Sequence, residues 1–457
     1  MNLGITLRQA ATLLYLLLIL LLGGASAAGF GGNLVLQIAG AGLIAWTLWS
    51  EEPGKGLRTG AGAFMIGLAV LALIQFLPLP PALWQMLPGR EAVAQGFALT
   101  GSELPWLSYS LDPWSSLQSL VWWIPAGALF YAMRAESSPE TRHAIWVILA
   151  VAYASVVLAA MQVVSGSGYF YAITNRGNGV GLFSNSNHFG SFMLIATALA
   201  AGQWLHDRPT RRPIAPRISL NVELLLRLAP LVLGVLLSRS LAAGLLLLPL
   251  LGGIALVVYP QWRIRWPLIG IAALAFAVGI VWLLASGAVS NDLMSKSGTA
   301  GISRGEFLAN GSAIARDFAP LGAGIGTFRD LYPWYESATN VSTTFVNHAH
   351  NDLLELVIEA GIPGLIVLAL FLRWIGGKSW QLWNAPRTEH PVALAATLAT
   401  ALVLTHSLVD YPLRTAAVSC LIALCAIFAC RPPALRGSAA LAQSSPGAGK
   451  RETMLQI

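Results

Sequence analysis

Charge is scarce in this 457-residue sequence. Asp, Glu, Lys and Arg make up only 10% of it, against 56% hydrophobic residues, whereas an ordinary soluble domain carries ~25% charge. That scarcity leaves no soluble domain of ordinary size. It also leaves no basic domain on which nucleic-acid binding could rest, because the net charge of +7 is dispersed over short connections. Cysteine is nearly absent. The three present, Cys420, Cys425 and Cys430, all sit in the last apolar run. An external disulfide framework is therefore not implied, and buried apolar thiols are expected. No internal repeat of fixed period is present. The run Gly322-x-Gly324-x-Gly326 lacks the spacing and the βαβ context of a dinucleotide fingerprint.

What the sequence does have is apolar runs of roughly 17–25 residues along its whole length, each long enough to span a bilayer. About twelve spans are expected, near 10–29, 32–50, 60–79, 116–133, 143–165, 187–204, 223–238, 241–259, 266–286, 352–375, 391–408 and 415–430. The first resembles a secretory signal peptide through Arg8 and Ala25-Ser26-Ala27, but its apolar run is long for one and it is read as an uncleaved span. Lys and Arg concentrate in one set of connections, among them Lys55, Arg58, Arg208, Arg211, Arg212, Arg263 and Arg265. These are assigned to the cytoplasm, where they also favour anionic lipid. Both termini then lie inside. The stretches 80–115, 166–186 and 287–351 lie outside, in the periplasm of a Gram-negative cell. The fold expected is all-α and polytopic: residues 1–430 form the membrane domain, with a long outer loop, 287–351, between the ninth and tenth helices. Residues 431–457 have the composition of a disordered cytoplasmic tail.

Polar residues near a bilayer are costly, so their positions carry information. Four arginines break the inside bias: Arg176 in Thr174-Asn175-Arg176-Gly177, Arg239 in Ser238-Arg239-Ser240, Arg304 in Ser303-Arg304-Gly305-Glu306, and Arg414 in Asp410-Tyr411-Pro412-Leu413-Arg414. A guanidinium stays charged and binds phosphate oxygens in pairs, so these four are candidates for holding a pyrophosphate. The alternative is that they snorkel to headgroups or pair with local acids.

His348-Ala349-His350-Asn351-Asp352-Leu353-Leu354-Glu355 opens the tenth span. A histidine can take a proton from an attacking hydroxyl near neutral pH. If the helix reached back to His348, then His348, Asp352, Glu355 and Glu359 would share one face. Helical spacing alone does not choose between His348 and His350. Asn351 or Asp352 is an expected orienting partner, with Asp352 and Glu355 also able to cap the helix. The alternation His348, His350, Asp352 contains zinc-type ligands, but no second ligand cluster supports it, and no metal is expected. Asn187 and His188, at the mouth of the sixth span, are candidates for sugar contacts. Capping by asparagine is the default there. Tyr332 and Trp334 could stack on sugar rings or anchor at the interface. The glycine run at 322–326 reads as a loop of tight turns, or as backbone approaching a sugar closely.

His350-Asn351, nine residues, then Gly361-Ile362-Pro363-Gly364 resembles the signature of O-antigen ligases and their polysaccharide-polymerase relatives. These are membrane glycosyltransferases that move a glycan from a polyprenyl pyrophosphate carrier onto a hydroxyl. The resemblance extends over most of residues 60–430. It places Arg176, Arg239 and Arg304 at the family's arginine positions and selects His350 as the base. The Gly-rich 321–328 stretch and Leu111-Asp112-Pro113 also fit. It implies metal-independent transfer without a cofactor from an undecaprenyl pyrophosphate-linked donor. The acceptor would be a saccharide or lipid A–core, at the outer face of the bacterial inner membrane. Two alternatives share parts of this pattern: a protein O-oligosaccharyltransferase, which would use the same motif, and a transporter or flippase, for which twelve spans with charges would serve.

Overall fold

The computed structural model describes residues 6–26, 29–50, 60–134, 138–208, 217–259, 261, 304–338 and 346–430. It is mostly helical. The longer helices among these residues are α1 (Leu7–Leu22), α2 (Phe30–Ser50), α3 (Gly60–Ile74), α4 (Glu91–Thr100), α5 (Pro113–Val121), α6 (Ile124–Met133), α7 (Ser138–Ser165), α8 (Ser186–Asp207), α9 (Arg217–Leu237), α10 (Leu241–Val258), α11 (Arg304–Asp317), α12 (Asp352–Asn384), α13 (Pro391–His406) and α14 (Ala416–Cys430). Two short strands, β1 (Pro78–Leu79) and β2 (Leu107–Ser108), pair antiparallel.

Each anticipated apolar run overlaps a helix, except 266–286, which is outside the described residues together with the 431–457 tail. α1 stops at Leu22, short of the end of the run 10–29, and α3 stops at Ile74, with Pro78–Leu79 in a strand. The run at 116–133 is not one helix: it breaks between α5 and α6 at Trp122–Trp123, just before Pro125. By length and composition, four helical stretches among the described residues can cross a membrane: Phe30–Ser50, Thr141–Ser165, Leu241–Val258 and Asp352–Asn384. The stretch 304–338, anticipated as outer loop, folds into α11 and short turns.

At the centre is α8, buried along nearly its whole length, as expected of a helix apolar on every side. It packs on α13, α9, α10 and α7. A second, smaller core lies beside it, built from Phe307, Ile314, Phe318, Phe328, Tyr332, Ala349 and Ile358. It fastens residues 304–338 and 346–349 to the start of α12.

α12 is broken at Gly361, whose φ of 52° and ψ of −143° are not helical. Proline at 363 has no N–H to give to the Glu359 carbonyl, and the amide of Ile362 turns to the carbonyl of Pro320 at 2.8 Å. The carbonyls of Ile358 and Glu359 accept instead from the amides of Ala323 and Gly324, both at 2.9 Å. The glycine run thus docks into the break and completes its hydrogen bonds. A Cβ on Gly324 would lie 2.1 Å from Ser110 Oγ, and one on Gly326 would lie 2.1 Å from Ser119 Oγ. Close packing, not flexibility, is what these glycines serve.

Gly361→Ala is expected to lose about 1–3 kcal/mol or more, because its Cβ would fall 2.2 Å from the Pro320 carbonyl oxygen. Gly377→Ala, with nothing within 4 Å of the new methyl, is expected to gain about 0.5–1 kcal/mol. Thermal midpoints in detergent compare the two.

Candidate active site

Two residues other than glycine have positive φ among the described residues, Arg239 and His350, both at 51°. Each is a residue singled out by the sequence. Holding an L-residue there costs roughly 1–2 kcal/mol, and such strain concentrates where function requires it.

His350 directly precedes the first turn of α12. Asn351 is the N-cap: its Oδ1 accepts from the amide of Leu354 at 2.9 Å, while its Nδ2 donates to the carbonyl of Leu408 at 2.8 Å. The cap is therefore Asn351 rather than Asp352. The Asp352 amide donates to the carbonyls of Ser407 (2.9 Å) and Asp410 (3.2 Å), which ties the helix start to the turn between α13 and α14. His350 Nδ1 lies 3.5 Å from Asp410 Oδ1, and Oδ1 also accepts from the Tyr411 amide at 2.9 Å. The His350 ring is flanked by Phe307 (5.0 Å) and, in a T-shaped contact, by Tyr411 (4.9 Å). Its carboxylate partner is thus Asp410, not Asn351 or Asp352.

His348 is not helical, since α12 starts at Asp352. Its Nδ1 pairs with Glu355 Oε1 at 2.8 Å, and Glu355 Oε2 accepts from the Ala349 amide at 2.8 Å. Arg414 completes this cluster. It lies 3.3 Å from Glu355, 3.2 Å from Glu359 and 3.5 Å from Asp352. The face anticipated from Asp352, Glu355 and Glu359 is real, and it is turned toward this one guanidinium. His348, His350 and Asp352 each face a different partner, so their alternation does not converge on a point.

Tyr411 is the hub. Its ring meets His348 at 4.5 Å, and His188 and His350 in T-shaped contacts at 4.9 Å each. Burial first, then Asp410, pushes its hydroxyl above the ordinary tyrosine range. Burial alone would raise the Asp410 carboxyl, but His350 and His188 beside it hold it well below the usual carboxylate range. Asp410 is therefore an anion at any pH near neutrality. Burial works against the charge on Arg414, yet Glu355, Glu359 and Asp352 push its pKa above the ordinary arginine value. Sequence reasoning passed over Asp410 and Tyr411. The available signal was a carboxylate on a short turn between two apolar runs, where charge is costly.

His188 is 1% exposed, and neither ring nitrogen has a hydrogen-bond partner among the described residues. The cap of α8 is Asn185, whose Oδ1 accepts from the Asn187 amide at 2.8 Å. Asn175 Oδ1 accepts from the Ser186 amide at 2.9 Å. That bond brings the Arg176 loop to the same end of α8. Buried Gln162 pins the loop, accepting from the amides of Val180 (2.9 Å) and Gly181 (2.8 Å). Gly179 donates to the carbonyl of Leu237 at 2.9 Å, so the loop also meets the Arg239 turn. There, Ser238 donates to the Val235 carbonyl at 2.6 Å, and Ser240 caps α10 through the Ala243 amide at 3.2 Å. Between these two buried serines the Arg239 side chain is exposed. Arg176 is exposed too, with its guanidinium 5.6 Å from the Tyr169 ring centroid. Neither guanidinium has a hydrogen bond or ion pair among the described residues, in contrast to Arg414.

Arg304 opens α11, one turn before Phe307. Its side chain lies outside the described residues. Tyr332 is 1% exposed, packed on Phe307 (5.8 Å) and Phe328 (5.5 Å), with its hydroxyl accepting from Asn310 at 3.3 Å. It is a core residue and not a sugar platform. Trp334 is 86% exposed.

One variant set tests the Arg239 turn. Arg239→Gly is expected to be more stable than Arg239→Ala by about 1 kcal/mol, because glycine tolerates positive φ, and both are expected to lose function. Arg239→Lys is expected to be defective too, since an ammonium does not reproduce the guanidinium fork. Arg227→Lys is expected to be mild, because its pair with Glu223 at 2.7 Å is an ordinary i,i+4 contact. Thermal midpoints and product formation across the four variants decide the matter.

The arrangement offers a strained imidazole backed by a carboxylate, and two exposed guanidiniums on joined turns at the same end of the bundle. A comparison with curated proteins finds no match. Residues 226–369 match the family model described as O-antigen ligase. That segment contains the Arg239 turn, His348 to Asp352 and the Gly361 break, so the part of the chain that carries these residues is similar to the O-antigen ligase family.

Proposed function

We propose that this protein transfers a glycan from an undecaprenyl pyrophosphate-linked donor to an acceptor hydroxyl during cell-surface polysaccharide assembly, as an O-antigen ligase or polysaccharide polymerase. The single observation that carries this reading is His350, held at positive φ with its Nδ1 toward Asp410. A carboxylate on Nδ1 fixes the tautomer with the proton there and leaves Nε2 as the base. His350 Nε2 takes the proton of the acceptor O–H. The acceptor oxygen forms its bond to the anomeric carbon as the bond from that carbon to the pyrophosphate oxygen breaks. The bonding pair leaves with the pyrophosphate. Arg176, Arg239 and Arg304 receive that charge, worth most when the donors are preorganised. A single displacement inverts the anomeric carbon. The products are the glycosylated acceptor and undecaprenyl pyrophosphate, and the imidazolium then returns its proton to solvent.

In this reading the chain crosses the inner membrane about twelve times, with both termini cytoplasmic and the site facing the periplasm. Asn187 and Trp334 border the glycan, while His188, 1% exposed, lies behind the site against Tyr411. Neither metal nor cofactor is required. The test is deletion of the gene, with examination of lipopolysaccharide, secreted polysaccharide and glycoproteins. Loss of O-antigen from lipid A–core with accumulation of lipid-linked polymer identifies a ligase. Single repeats in place of long chains identify a polymerase, and loss of protein glycans alone identifies an oligosaccharyltransferase. Normal products in all three, with no redundant enzyme, would favour transport instead.

A further inference from the structure

Arg414 has a different environment from the other site arginines. Its Nε, Nη1 and Nη2 all face carboxylates, those of Asp352, Glu355 and Glu359. These three acids lie on one face of the first two turns of α12. A pyrophosphate approaching this guanidinium would meet three carboxylates, and Nη1 and Nη2 already donate to Glu359 at 3.2 and 3.3 Å.

Asp410 lies on the same turn as Arg414, and His350 immediately precedes α12. The ion pairs of Arg414 therefore tie the turn that carries the carboxylate to the helix whose start carries the imidazole. A second set of contacts runs through Glu355, which Arg414 orients. Glu355 accepts from His348 Nδ1 and from the Ala349 amide, both at 2.8 Å. It thus grips the two residues before His350, while the Asn351 cap grips the residue after it. The left-handed conformation of His350 is held from both sides.

We propose that Arg414 is a positioning residue that sets the separation of His350 from Asp410, and that it does not ligate the donor's pyrophosphate. The inference rests on the transfer reading above. Lysine at 414 would keep one positive charge but could not reach three carboxylates at once.

The experiment uses full-length Arg414→Lys protein in detergent, with undecaprenyl pyrophosphate as the binding probe. Transfer is followed in the deletion strain complemented with the same variant. Probe affinity is expected to stay within about twofold of wild type, whereas transfer falls about 10²-fold, as a displaced catalytic group dictates. Probe binding that weakens in parallel with transfer would make Arg414 a phosphate ligand and overturn the proposal. Transfer at the wild-type level would overturn it as well. If Arg414→Lys does not fold, Glu355→Gln carries the test. Its amide oxygen still accepts from Ala349, but it offers Arg414 no charge, and the same split between binding and transfer is expected. His350→Ala in the same assay separates the two failures. An active His350→Ala sinks the transfer reading itself. An inactive His350→Ala beside a fully active Arg414→Lys sinks the positioning role alone.

Discussion

His350→Ala is expected to abolish glycan transfer while the protein still inserts and accumulates. A positioned general base contributes about 10²–10⁴-fold. His350 is the imidazole whose partner is a buried carboxylate from a separate turn. No fold-level reason demands a histidine there. The ring fills space beside Phe307 and Tyr411, but its backbone conformation is one that glycine adopts more readily. His350→Gly is therefore expected to match or exceed His350→Ala in stability and to be equally inactive. His348→Ala should lose less, because His348 Nδ1 is engaged by Glu355 and the nearby Ala349 amide keeps its own bond to that carboxylate. Measured turnover in complemented cells orders the three. Near-wild-type transfer by His350→Ala would remove the base from the mechanism.

Asp410→Asn is expected to cost a comparable amount, up to about 10⁴-fold by analogy with a carboxylate-to-amide change behind a catalytic histidine. The substitution is close to isosteric. Its amide oxygen can still accept from the Tyr411 amide, as Asp410 Oδ1 does at 2.9 Å. What it loses is the negative charge beside His350, and with it the preference for the proton on Nδ1. The folded carboxyl of Asp410 lies below the ordinary range. Its contribution to stability is thus present above the unfolded carboxylate value of about 3.9 and is lost only as pH falls from there toward the folded pKa. Asp410→Asn should accordingly lower the thermal midpoint at neutral pH and reduce the further loss on acidification below about pH 4. A variant with normal transfer and an unchanged midpoint would mean that the 3.5 Å approach of Asp410 to His350 is incidental.

Much of this fold is legible in the sequence because apolar length and periodicity are local signals. The runs that became α2, α7, α10 and α12 are read directly from hydropathy. The two residues that the structure strains, Arg239 and His350, are both visible as polar residues at costly places. Long-range pairing is less visible. Asp410 and His350 are sixty positions apart, and neither periodicity nor spacing says that the α13–α14 turn folds onto the start of α12. The same limit hides the partners of Arg414, which look like nothing more than acids on a helix face.

Local competition hides other features. Asn351 and Asp352 are both good caps, and the difference lies in where each side chain finds a partner: Asn351 reaches the Leu354 amide, and Asp352 faces Arg414. Gly361 and Pro363 together signal a break in α12. Its depth becomes clear only once the 320–326 stretch donates into it. Tyr332 carries a polar tip on an aromatic body, which suits a sugar platform and a core equally. Its neighbours Phe307 and Phe328 decide for the core.

The central claim is that this chain forms a glycosidic bond rather than moving a lipid-linked sugar across a bilayer. The most direct measurement adds the purified protein to detergent-solubilised membranes of its own deletion strain, which supply both donor and acceptor without sealed compartments. Formation of the glycosylated product, matched by release of undecaprenyl pyrophosphate and absent with His350→Ala, is the expected result. No product in detergent, with product appearing only when the same protein is sealed into vesicles, would contradict the claim and point to transport.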